Sequence, residues 1–141
     1  MIKRAYIGGT WDCCHAGHIN LINKVIELGF KPVIIVNSDD FVNKYRKKPC
    51  IFKDFERINT LKEFYKDIDI RIVNKEEQKI MIEKINPDVI VVGTDWMKPE
   101  ILPQLGIDED FLKKNNISML FIPRFENIST SEIKKRIKCH K

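Results

Sequence analysis

The sequence predicts a doubly wound α/β fold, with a parallel sheet of five strands in a single domain. Two short runs of β-branched residues, Val33 to Val36 and Val89 to Val92, read as strands buried on both faces. Between such runs stand segments of helical periodicity; Ile19, Leu21, Ile22, Val25, Ile26 and Leu28 line one of them. The two kinds of segment alternate along the chain, the pattern that builds parallel sheets from βαβ units.

Ile2 to Gly8 reads as the first strand, ending in glycines. The first helix starts at His15 or Gly17 and runs to Leu28, with Gly29 as a left-handed cap. Val33 to Val36 is the second strand. Asn43 to Lys53 is basic, contains Pro49 and has no periodicity, so it reads as a loop over the site. Asp54 to Phe64 is the second helix and Asp69 to Val73 the third strand. Glu76 to Ile85 is the third helix, stopped by Asn86-Pro87. Val89 to Val92 follows as the fourth strand. Asp108 caps a short helix to Asn115, and Ser118 to Ile122 is the fifth strand. Ser129 to Lys138 is the last helix, with Ser129 and Glu132 spaced as a capping box.

The 141 residues suit one domain, residues 1–141, with one core. No apolar run approaches the roughly 18 residues of a membrane span. Lys3-Arg4 leads into no sustained apolar stretch, so no signal peptide is visible and a cytoplasmic protein is expected, with no membrane insertion. The net charge is +5, from 25 basic and 20 acidic residues, with both signs interspersed. That is too mixed to point to nucleic acid; a polyanionic small substrate suits the cluster Lys44-Tyr45-Arg46-Lys47-Lys48. The second cluster, Lys134-Lys135-Arg136-Ile137-Lys138, reads as the solvated face and end of the last helix. Four cysteines (Cys13, Cys14, Cys50 and Cys139) form no C-x-x-C pair. Cys13-Cys14-His15 with His18 invites a zinc reading, but adjacent cysteines seldom close a tetrahedral site, so no protein-held metal is expected.

The segment Gly8-Gly9-Thr10-Trp11-Asp12-Cys13-Cys14-His15-Ala16-Gly17-His18 joins the first strand to the first helix. The opening amides of a helix point outward and carry partial positive charge, which makes an anion site. His15 and His18, at i and i+3, share one helix face and can donate to one ligand. Gly17 between them lets a phosphate approach the backbone.

G-T-x-D-x-x-H-x-G-H resembles the signature of the cytidylyltransferase-like (HxGH) nucleotidyltransferases, and within them the glycerol-3-phosphate cytidylyltransferase group. A second stretch, Arg124-Phe125-Glu126-Asn127-Ile128-Ser129-Thr130-Ser131, resembles that family's R-T-E-G-I-S-T-T element, with Asn127 in place of glycine. Gly93-Thr94-Asp95-Trp96 resembles its G-D-D-W element, and Glu56-Arg57 its pair at the start of the second helix. The resemblance runs from Tyr6 to Ile137 and implies the Rossmann-like sheet of the family.

The reaction it implies is transfer of CMP from CTP to a small phosphorylated alcohol, glycerol 3-phosphate first, with release of pyrophosphate. By resemblance, His15 and His18 donate to the α- and β-phosphate region. Gly9, Thr10, Trp11, Gly17, Ile128, Ser129, Thr130, Ser131 and Arg124 surround the triphosphate, and Asp12 orients a histidine or a metal-bound water. Asp95 and Trp96 stand near the base; Trp96 either stacks on it or caps the sheet as a core residue. Lys44 or Arg46 is the counterpart of the family's loop lysine, with Lys47 beside them. The group's tryptophan near the third helix is missing from Asn74-Lys75-Glu76-Glu77-Gln78-Lys79, where Lys79 or Lys75 can serve the acceptor. Mg²⁺ is expected on the nucleotide phosphates. A homodimer is implied, with Lys66-Asp67-Ile68-Asp69 where the family has its dimer-linked segment. An adenylyltransferase acting on a sugar phosphate or pantetheine-like acceptor, or a non-catalytic nucleotide sensor, would use the same frame.

Overall fold

The computed structural model describes residues 2–45, 48–93, 101–123 and 128–140. Five strands form one sheet: β1 (Lys3–Gly9), β2 (Phe30–Asn37), β3 (Asp69–Val73), β4 (Val89–Gly93) and β5 (Ser118–Ile122). Their order is β3-β2-β1-β4-β5, and every neighbouring pair is parallel. The helices are α1 (Ala16–Glu27), α2 (Asp39–Tyr45), α3 (Asp54–Phe64), α4 (Gln78–Ile85), α5 (Ile101–Leu105), α6 (Glu109–Lys114) and α7 (Thr130–Cys139).

Alternation along each strand sorts the core onto the two sheet faces. Ala5, Ile7, Ile34, Val36, Val89 and Val91 pack with Ile22 and Val25 of α1 and Leu61 of α3. Tyr6, Val33, Ile35, Ile90 and Val92 pack with Ile82 and Ile85 of α4 and Leu105 of α5. Both faces are covered, so β2 and β4 must be apolar at every core position, which is why they read as unbroken runs. Each fully buried Ile or Val is worth about 1.5–3 kcal/mol.

The chain reverses its direction of winding between β3 and β4, which leaves β1 and β4 as neighbours. A crevice opens above their carboxyl ends, where ligands bind in such sheets.

The five expected strands stand within a residue or two at most ends, β2 starting three residues earlier, and Gly29 takes the left-handed φ of +91° expected after α1. Asn86 closes α4 at φ +47°, ahead of Pro87. Three elements differ. Residues 43–45 belong to α2, not to an irregular loop; the Ser38 hydroxyl caps that helix by accepting from the Phe41 amide at 3.1 Å. Among its described side chains one apolar residue, Val42, is buried, too few for a periodicity to show. The expected third helix begins instead as a 3-10 turn, Lys75–Glu77, and becomes α-helical at Gln78. Helix α5 has no sequence counterpart because it carries Pro103, tolerated in a first turn whose N–H groups lack helical partners. Among the described residues no helix is long and apolar enough to cross a membrane.

Candidate active site

The turn from β1 into α1 holds two non-glycine residues in the left-handed region, Trp11 at φ +61° and Cys13 at φ +51°. Such conformations cost about 1–3 kcal/mol each and persist where the surroundings enforce them. The Trp11 indole enforces one of them. It is buried in the core and its Nε1 donates to the Ile35 carbonyl at 2.9 Å. A side chain at Gly9 would come within 3.2 Å of that ring, so glycine makes its room. The Trp11 side chain is therefore a buried anchor, which leaves the backbone of its turn facing the crevice side of the sheet's carboxyl ends as the part open to a nucleotide. Its ring backs the His18 ring at 5.3 Å between centroids.

The two histidines form one unit. His15 is the N-cap of α1, and its Nδ1 accepts the Gly17 amide at 3.0 Å. His18 returns the arrangement: its Nδ1 accepts the His15 amide at 3.2 Å. The rings stack at 3.9 Å between centroids and 24° between planes. Since each Nδ1 accepts a backbone N–H, the proton of each neutral ring lies on Nε2. Two Nε2–H donors thus stand side by side at a helix N-terminus. Burial, then the neighbouring His15 ring, lowers the His18 pKa to about 4, against a smaller upward pull from Asp12. His18 is neutral near pH 7 and serves as a hydrogen-bond donor there. A Cβ at Gly17 would meet His15 Cε1 at 2.9 Å, so glycine is required to keep the ring in place.

Asp12 was expected to orient a histidine or a metal-bound water. Its carboxylate, 1 % exposed, is engaged elsewhere. Oδ2 accepts from the Ile51 amide at 2.9 Å and Oδ1 from the Phe52 amide at 3.0 Å, while Lys134 Nζ lies 3.4 Å from Oδ2. Burial alone would raise its pKa; the two amides and the Lys134 charge together hold it below the usual carboxylate range. The Asp12 carbonyl accepts from the Thr130 hydroxyl at 2.9 Å. This contact brings the start of α7 onto the turn before α1, and Ile128 Cγ2 lies beside Gly17. Ser129 caps α7 by accepting the Glu132 amide at 3.1 Å, the Ser129 half of the expected box. Ser131, at the second helical position, is exposed. Two helix N-termini, α1 and α7, therefore converge beside the histidine pair, a setting for a polyphosphate.

Sequence reasoning left Arg57 without a role. Its guanidinium is buried beneath the turn and makes four hydrogen bonds. It donates to the carbonyls of Thr10 at 2.6 Å, Asn37 at 2.8 Å and Phe52 at 3.1 Å, and to Asp39 Oδ1 at 2.8 Å. It thereby ties the end of β1, the end of β2 and the segment before α3 into one block. A signal existed: Arg57 stands four residues before the buried Leu61, on the inner stripe of α3. Lys134 was also missed. It follows Thr130 by four positions, so it shares the face of α7 that meets the site, and it is not part of a solvated face.

Among the described residues the acceptor-side cations stand apart. The Lys44 ammonium is exposed and lies 3.4 Å from Glu76. Lys79 stands over the Phe111 ring, 5.6 Å from its centroid. Arg46, Lys47, Asp95, Trp96 and Arg124 lie outside the described residues. Cys13 and Cys14 are half-buried, and burial raises both thiols, which keeps them protonated. With Trp11, Phe52, Arg57 and Thr60 they line a cavity of ≈ 240 Å³. Among the described residues no cluster of three or more His, Cys, Asp or Glu is placed to hold a metal.

The chain resembles known proteins over nearly all of its length. It is 30% identical over 138 residues to glycerol-3-phosphate cytidylyltransferase of Staphylococcus aureus, covering 96% of both chains. It is 29% identical over 141 residues to FAD synthase of Korarchaeum cryptofilum, covering 97% of this chain and 92% of that one. Its fold matches the crystal structure of a lipopolysaccharide core biosynthesis protein from Thermoplasma volcanium, with a TM-score of 0.68 and 23% identity over 91% of this chain and all of that one. The model of the cytidylyltransferase-like family matches residues 6–136, from the strand before the histidine pair to the helix that closes on it; the chain belongs to that family of nucleotidyltransferases.

Proposed function

We propose that this protein transfers the cytidylyl group of CTP to the phosphate of a small phosphorylated alcohol, glycerol 3-phosphate first, yielding CDP-glycerol and pyrophosphate. The observation that carries the reading is the stacked histidine pair, with both Nδ1 atoms accepting backbone amides, so that the N–H of each neutral ring is on Nε2. An acceptor phosphate oxygen bonds to the α-phosphorus while the bond from that phosphorus to the bridging oxygen breaks, and pyrophosphate leaves with the electron pair. The attacking oxygen is already anionic, so no strong base is needed. The work left to the protein is positioning and stabilisation of charge on the phosphoryl oxygens. Neutral imidazole donors and the N-termini of α1 and α7 suit that work. Mg²⁺ would arrive on the triphosphate as part of the substrate.

The choice of CTP and glycerol 3-phosphate rests on the cytidylyltransferase relative. The FAD synthase relative, at nearly the same identity, favours a second reading in which ATP donates an adenylyl group to a larger phosphorylated acceptor. Pyrophosphate release with Mg²⁺, crossing CTP, ATP, GTP and UTP against a panel of phosphorylated acceptors, separates them. Release with CTP and glycerol 3-phosphate supports the proposal; release with ATP and FMN transfers the assignment to the second reading. No release from any pair, with triphosphate still bound, points to an acceptor outside the panel or to a nucleotide sensor.

A further inference from the structure

Asp12 is buried and reached from three parts of the chain: its own turn, residues 51–52, and α7. The basic stretch ahead of residues 51–52 begins in α2 with Lys44. Its near end is set by α2, capped by Ser38. Its far end is set by Asp12, by the Arg57 bond to the Phe52 carbonyl, and by an exchange in which Asp39 and Asp54 each accept the other's amide. Of these holds, only Asp12 joins the far end to the helix that starts at the phosphate cradle. Lys134 is the ammonium placed beside that carboxylate, 3.4 Å away and 30% exposed along its side chain. A buried carboxylate held by two amides keeps its charge more readily with a cation beside it.

We propose that Lys134 is a positioning residue: through the Asp12 carboxylate it holds residues 48–53, and with them Lys48 at the end of the basic stretch that the transfer reading assigns to the acceptor, in register with the phosphate-binding start of α7. The acceptor part of this proposal rests on the transfer reading above. Lys134 acts through Asp12, one helical turn behind Thr130, and not as a donor to the phosphates.

The test compares wild type with Lys134→Ala, Lys134→Arg, Asp12→Asn and, as a control on the same helix, Lys135→Ala. Amide hydrogen exchange at Ile51 and Phe52 is read without substrate, beside KM for nucleotide and acceptor and kcat. Lys134→Ala is expected to speed exchange at both amides by about tenfold, the scale of one charge-assisted contact. It should raise the acceptor KM by a similar factor and leave nucleotide affinity within about twofold. Asp12→Asn should do the same or more, Lys134→Arg should restore wild-type values, and Lys135→Ala should change nothing. Unchanged exchange at Ile51 and Phe52 in Lys134→Ala overturns the proposal. So does a loss of nucleotide affinity with the acceptor KM intact, which would make Lys134 a phosphate ligand. The exchange measurement decides the positioning role even if wild type releases no pyrophosphate with any substrate pair, so the two readings fail separately.

Discussion

The imidazole of His18 is held neutral by its place in the fold, and that state has measurable consequences. Its pKa is lowered to about 4 from the ordinary 6.5 by burial and then by the adjoining His15 ring. Between those values the unfolded chain binds the proton that the folded chain refuses. Stability is therefore lost as pH falls through that window, and no further loss from this group occurs below it. The loss is at most about 3 kcal/mol. Urea unfolding at a series of pH values should show this slope in wild type and not in His18→Ala; an equal slope in both would place its origin elsewhere. The same substitution should lower turnover by about 10² or more with the circular dichroism spectrum unchanged, since a donor to developing phosphoryl charge is removed. Gly17→Ala puts a methyl carbon 2.9 Å from His15 Cε1. It should reduce turnover by roughly tenfold or more through displacement of the ring, and a variant of wild-type activity would refute that constraint.

At the scale of elements, Arg57 joins what the strands leave apart. Removing a buried guanidinium takes that donor from three carbonyls and leaves Asp39 without its ion-pair partner. Arg57→Ala should therefore lower the unfolding free energy by about 3–5 kcal/mol, read from denaturant midpoints. Arg57→Lys should recover little, because one ammonium cannot reach four acceptors spread around a planar fork. The elements themselves were largely legible. Unbroken β-branched runs located β2 and β4, and a glycine and an Asn-Pro pair marked where α1 and α4 stop. Helices α2 and α5 were not legible, since 7 and 5 residues carry too few buried positions to reveal a period. The histidine pair was legible because its partners lie within three residues. The true partners of Asp12 were not: Ile51 and Phe52 stand 39 and 40 positions away. No local pattern reports a contact that the fold alone creates. The burial of the Trp11 indole was not legible for a related reason, since its partner, Ile35, belongs to the neighbouring strand.

For the whole molecule, the proposed triphosphate site spans two helix starts that the fold brings together from opposite ends of the sequence. Ligand bound at a hundred times its dissociation constant stabilises by about 2.7 kcal/mol. For a chain of this size that corresponds to a rise in Tm of roughly 7–11 °C. CTP with Mg²⁺ should give that rise, and CMP a smaller one, in a thermal melt; equal shifts would show that the β- and γ-phosphates are not gripped. The Thr130 hydroxyl that meets the Asp12 carbonyl closes a separation of 118 residues. On a ribosome, β1, β2 and α1 emerge and can pair long before Thr130 is made. The strands can assemble, but the phosphate cradle cannot, because one of its two walls has yet to be synthesised. A partly made chain would hold a growing core and no working site, so the capacity to turn over nucleotide would arise as one late event, when the last helix docks.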